Sequence, residues 1–151
     1  MKTQILFAAP ESEQLDAHCT FLDGCGYDVH TTDNALACFD RLIERPPTAL
    51  ILQRGLLWGG VDGILARMRD GEHTLNVPVV ILGGRESVES LEKLLGEPVI
   101  ACLRDPVRPV ELLKCLVFAE SRHSARAAAE RTNSAAAKPN GHEPQPQSNA
   151  I

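Results

Sequence analysis

At 151 residues the chain is long enough for one domain with a hydrophobic core and too short for two. An apolar fraction of 44% with 23% charged residues excludes a chain disordered throughout, and no run approaches the roughly 20 apolar residues that cross a bilayer. Residues 1–120 carry 11 Lys and Arg against 18 Asp and Glu, and this acidic body repels nucleic-acid phosphates, so neither direct nucleic-acid binding nor membrane insertion is expected.

β-type runs alternate with helical spacing along residues 3–120. The first predicted strand is Gln4–Ala8, whose apolar run is too short for a signal-peptide core and gives way to Glu11 and Glu13. Leu15, Cys19 and Leu22 then mark a helix, Asp28–Thr32 the second strand, and Leu36, Phe39, Leu42 and Ile43 a second helix with Asp33 as its N-cap. Ala49–Gln53 is the third strand, followed by a helix on Val61, Ile64, Leu65 and Met68. Val79–Gly83 is the fourth strand, followed by a short helix on Val88, Leu91 and Leu95 capped by Ser87. Val99–Leu103 is the fifth strand. The last helix starts at Pro109, a favoured first-turn residue, and carries Val110, Leu113, Leu116 and Val117.

Strands three, four and five are continuously apolar, as in parallel strands covered on both faces. Five βα units then give a doubly wound, flavodoxin-like α/β sandwich over residues 1–123. Residues 124–151 turn to Ala, Ser, Asn, Pro and Gln. The alanines carry the last helix to about Arg131, and a low-complexity, disordered tail is expected beyond it. Without an export signal, Cys19, Cys25, Cys38, Cys102 and Cys115 read as reduced, mostly buried thiols of a cytoplasmic protein. Cys25 with His30, or His142 alone, makes no metal site, and no cofactor is implied.

Ile5-Leu6-Phe7, Gly26-Tyr27-Asp28-Val29, Pro47-Thr48-Ala49-Leu50-Ile51-Leu52, Asp62-Gly63, Pro78-Val79-Val80-Ile81-Leu82 and the turn Asp105-Pro106-Val107-Arg108-Pro109 occur in order and at nearly standard spacing. In these segments the chain resembles the receiver domain of two-component response regulators. The resemblance implies a phosphorylation site: an acidic pair after strand one, an aspartate ending strand three, a hydroxyl ending strand four and a lysine ending strand five. Those positions read Ala9, Pro10, Gln53, Gly83 and Asp105. Alanine and proline offer Mg²⁺ no side-chain oxygen, an amide is a poor phosphoryl acceptor, and Asp105 repels the anion that a lysine would hold. Glu11 alone does not replace the pair. Asp62, set beyond the strand end, reads as an N-cap rather than a substitute acceptor. The expectation is a degenerate pseudo-receiver with no enzymatic activity.

Nine positions separate Gln53 from Asp62 where the family pattern has seven, so a two-residue insertion falls in Arg54-Gly55-Leu56-Leu57-Trp58-Gly59-Gly60. Leu56, Leu57 and Trp58 either fold inward, plugging the vacated acidic pocket, or stand out as a partner anchor; the plug is preferred. Arg54, Arg85 and Arg104 follow strands three, four and five, where open α/β sheets bind ligands, and Gly83-Gly84 could bring backbone N–H groups to an anion. Glu11, Glu86 and Asp105 on the same rim oppose that. The favoured reading is a phosphorylation-independent interaction module in signal transduction, binding another signalling protein or a second copy of itself through residues 87–118. With no output domain in sight, its effect would pass through that partner. The alternative is a small-ligand sensor for an anionic metabolite or nucleotide at the arginine rim.

Overall fold

The computed structural model describes residues 2–56, 59–71, 74–83, 89 and 93–142, with the backbone alone at Leu75 and 133–142. In chain order the elements are β1 (Thr3–Ala8), α1 (Glu13–Gly24), β2 (Tyr27–Thr32), α2 (Ala35–Glu44), β3 (Ala49–Gln53), α3 (Gly60–Asp70), a 3₁₀ turn (Thr74–Asn76), β4 (Val79–Leu82), β5 (Val99–Leu103) and α4 (Pro109–His142). The helix expected on Val88 and Leu91, with its cap Ser87, falls largely outside the described residues. The strands form one parallel sheet in the order β2-β1-β3-β4-β5, each within a residue of its expected limits.

The period-2 pleat divides the strands between two apolar layers. Leu6, Ala8, Leu50, Leu52, Val79 and Ile81 meet α2 and α3 on one face. Ile5, Phe7, Ile51, Val80 and Leu82 meet α1 and α4 on the other. At roughly 1.5–3 kcal/mol for each fully buried Leu, Ile or Phe, these two layers supply the main drive to fold.

Local chemistry sets the helix starts. Ser12 caps α1 by accepting the Leu15 N–H at 3.0 Å. The N-cap of α2 is Asn34, accepting the Ala37 N–H at 2.8 Å, and not Asp33, which instead accepts from the Asn34 side-chain amide. Asp62 is not an N-cap either. That place belongs to Gly59 at φ 115°, and Asp62 sits in the first turn, where its carboxylate meets the positive end of the helix dipole.

Two apolar stripes are narrower than expected. On α2, Ala35, Cys38, Phe39 and Leu42 face the sheet and leave Leu36 and Ile43 outside; on α4, Leu112, Leu116 and Ala119 are buried while Val110 and Val117 are exposed. A helix resting on a sheet covers only the arc it touches, and these residues lie just beyond it.

The last helix is longer than expected and passes residues 123, 124 and 131 without a break, about 50 Å in all. Alanine, the strongest helix former, dominates residues 125–129. One turn apart, Arg122 and Arg126 both donate to Glu97, at 3.4 and 3.0 Å, and Arg126 also reaches the Asn76 side chain. These bonds fasten the segment after residue 121 where an apolar stripe is missing. Among the described residues no helix is long and apolar enough to cross a membrane.

Candidate functional site

The strand order places the carboxyl ends of β1, β3, β4 and β5 side by side, and the residues read from the sequence collect along that rim. Three ladders continue one residue beyond the strands. The N–H of Ala9 donates to Thr32 at 2.9 Å, that of Arg54 to Leu82 at 2.9 Å, and that of Gly83 to Leu103 at 2.8 Å. Ala9 and Gly83 are buried, Pro10 and Gln53 partly buried, and Asp105 is exposed just beyond β5, joined to Pro106 by a cis peptide.

Ala9, Gln53, Gly83 and Asp105 thus occupy one edge of the sheet but offer a phosphoryl group a methyl, an amide, a bare backbone and a carboxylate. None is a cation, and one is an anion. Among the described residues no three His, Cys, Asp or Glu side chains are grouped to hold a metal ion.

The inserted loop enters the core at Leu56. Gly55, at φ 99°, makes the turn after β3, and Leu56 is only 6% exposed, within the buried cluster that also holds Ala8, Ala35, Val61 and Ile64. Leu56 is therefore no exposed anchor, because its side chain belongs to the layer between the sheet and α2–α3. Leu57 and Trp58 lie outside the described residues.

The proposed arginine rim is only partly in view. Arg54 is half-buried and close enough to Cys102 to favour its thiolate, although burial prevails and holds that thiol above its ordinary range. Arg104 is exposed, and Arg85 and Gly84 lie outside the described residues. The N–H of Gly83, considered for an anion cradle, is already engaged by Leu103.

Four thiols are at least half-buried, and Cys38, fully enclosed, has its pKa pushed up to about 12 by burial. Cys25 departs from the expectation of burial, being exposed at the end of α1. His30 is paired with Asp28 at 3.2 Å on the outer strand β2.

One residue of this region was not singled out from the sequence. His18, on the inward stripe of α1 between Leu15 and Leu22, is 5% exposed, and neither ring nitrogen has a hydrogen-bond partner. Its ring stacks on Phe7 with centroids 6.2 Å apart. Burial holds its pKa below the ordinary imidazole value, against a smaller upward pull from Asp105. The signal lay in the spacing 15, 18, 22, which puts a histidine where an aliphatic residue would pack.

No family model matches the sequence, and no curated protein matches it. Solved structures do. The signal receiver domain of a protein described as a LuxO repressor, from Vibrio parahaemolyticus, superposes with a TM-score of 0.78 at 14% identity, covering 86% of this chain and 98% of that one. The signal receiver domain of an HD domain-containing protein from Pseudomonas fluorescens gives 0.71 at 22% identity over 82% and 99% of the two chains. The receiver domain of a sensor histidine kinase from Pseudomonas aeruginosa, which holds a magnesium ion in its active-site cleft, gives 0.72 at 16% identity over 80% and 99%. At these identities the likeness is one of fold: the chain has the receiver fold.

Proposed function

We propose that this receiver-fold protein signals without phosphorylation, as a cytoplasmic, non-enzymatic module that acts by binding another signalling protein or a second copy of itself. The observation that carries the reading is the rim itself. The fold brings Ala9, Gln53, Gly83 and Asp105 to one edge, and a methyl, an amide, bare backbone and a carboxylate at these four positions do not match the acidic pair, acceptor aspartate, hydroxyl and lysine of the receiver pattern. The apolar residues left outside on α4 give the binding half of the reading its surface. Val110, Val117 and Phe118 are 55%, 54% and 54% exposed, and Leu95, before β5, is 49% exposed. Exposed apolar side chains are the anchors such contacts use.

Two measurements test it. Beryllofluoride with Mg²⁺ should leave the melting temperature unchanged, and acetyl phosphate should leave the intact mass unchanged. A stoichiometric, base-labile phosphate would sink the first half of the reading, and its mapping to Asp62 would identify a substitute acceptor. For the second half, the concentration dependence of sedimentation is compared between the natural chain and Val117→Asp/Phe118→Asp, alongside capture of a candidate partner kinase or regulator by each. The double variant should lose self-association or capture while keeping its helix signal. Retention of both would remove α4 as the binding face.

A further inference from the structure

We propose that His18 is a buried proton switch: uptake of one proton turns a neutral, unpartnered imidazole into an imidazolium that leaves its apolar layer to pair with Asp105, shifting α1 against the β5–α4 connection.

An inward position of α1 ordinarily holds an aliphatic side chain. His18 occupies the inward stripe of α1, against Phe7 of β1 and within the layer that also contains Ala9, Leu15, Val107 and Leu112. A leucine there would bury apolar surface with no polar atom to satisfy. The imidazole instead carries two nitrogens into the layer, and both are buried without a hydrogen-bond partner. An unsatisfied buried polar group is destabilising even when neutral, and a buried unpaired charge is far more so. The neutral ring is therefore held in place only while it stays neutral.

Among the described residues the charged form has one receptor nearby. The elements packed around His18 divide their ionisable groups clearly. β1 brings Phe7 and Ala9, which carry no charge. On α1, Asp16 acts on Cys19, and on α4, Glu111 acts on Cys115 while pairing with Arg108 at 3.3 Å. Asp105 is the charged group that acts on His18. It forms no ion pair or hydrogen bond among the described residues, and the neighbouring strand ends bring a methyl group at Ala9 and bare backbone at Gly83. The anion standing where the receiver pattern has a lysine thus supplies the counter-charge an imidazolium needs.

The sign of the pH dependence follows. Burial depresses the folded-state pKa, so between that value and the ordinary value near about 6.5 the unfolded chain binds more protons. The stabilisation of the closed form is present above about pH 6.5 and is lost as pH falls towards the folded-state value. One proton makes the folding constant fall by up to about tenfold per pH unit in that window.

The test follows the imidazole Cε1–H signals of the full chain by NMR from pH 8 to 4.5, with urea unfolding at the same points, for the natural chain, His18→Phe and Asp105→Asn. In the natural chain His18 should titrate below the ordinary range with folding weakening in step. His18→Phe should lose that step. Asp105→Asn should fold equally well at pH 8 and move the His18 titration to lower pH. Because Asp105 is exposed, that variant decides the matter if His18→Phe does not fold. A His18 signal titrating at the ordinary value, an acid step that survives in His18→Phe, or a titration unmoved in Asp105→Asn would each overturn the proposal.

Discussion

The two ends of the parallel sheet are built on different physics. At the amino-terminal end of the strands, side-chain hydrogen bonds join elements far apart in sequence. Tyr27, opening β2, donates to Glu120 of α4; Arg69 of α3 donates to the carbonyls of Glu97 (3.0 Å), Leu94 (3.3 Å) and Gly96 (3.4 Å); Glu97 accepts from Arg122 and Arg126. At the carboxyl end, where sheets of this kind place their ligands, the described residues are joined by backbone ladders and apolar packing. One end is cross-linked by directional bonds. Among the described residues the other is held by backbone ladders and packing, beside a histidine whose buried ring nitrogens have no hydrogen-bond partner.

The largest effect should come from the packed end. Leu56→Ala removes a buried side chain from the layer between the sheet and α2–α3 and should cost about 2–5 kcal/mol, as leucine truncations in cores do. Urea unfolding measures it. A loss below about 0.5 kcal/mol would mean that the inserted loop does not enter the core, and the contrast between the two ends would fail at its clearest point.

A smaller effect is expected from the bonded end. Tyr27 is 5% exposed, and burial together with the Glu120 carboxylate holds its phenol well above its ordinary range, so it is a donor at neutral pH. Tyr27→Phe keeps the ring and deletes the bond. Glu120, being only half-buried, turns to water, so the expected loss is about 1 kcal/mol, read as a shift of the urea midpoint at unchanged slope. A loss as large as that of Leu56→Ala would put directional bonds on a par with packing.

The same division explains what the sequence disclosed. Strands such as Val79–Leu82 were legible because a continuous apolar run has little use except between two helical layers. The residues at the carboxyl ends of the strands were legible because each is an identity at a fixed place along its strand, and Ala9, Gln53 and Gly83 do stand at those ends. The cap of α2 was misplaced by one residue because Asp33 and Asn34 are both good caps, and only the backbone turn, extended at Asn34, separates them. His18 escaped notice because Leu15, Cys19 and Leu22 already completed a stripe, and the inward place of residue 18 shows only when both helical spacings are laid out. The docking of α4 after residue 121 escaped because it depends on Glu97 and Asn76, which are distant in sequence and carry no periodic signal.

The smallest predicted effect concerns that docking. Glu97→Gln removes the carboxylate to which Arg122 and Arg126 converge, yet all three side chains are at least a third exposed, so screened attraction and side-chain ordering nearly cancel. The global unfolding free energy should change by less than about 1 kcal/mol. The local consequence should be larger than the global one. The backbone bonds of α4 remain, but the helix after residue 121 loses much of what ties it to the body, so its amides should exchange faster while those of Leu112, Leu116 and Ala119, buried against the sheet, keep their protection. Hydrogen exchange resolved along α4 distinguishes the two segments. Equal acceleration along the whole helix would show that the clasp stabilises the apolar seat of α4 as well, and the amino-terminal end would then be coupled to the core rather than fastened beside it.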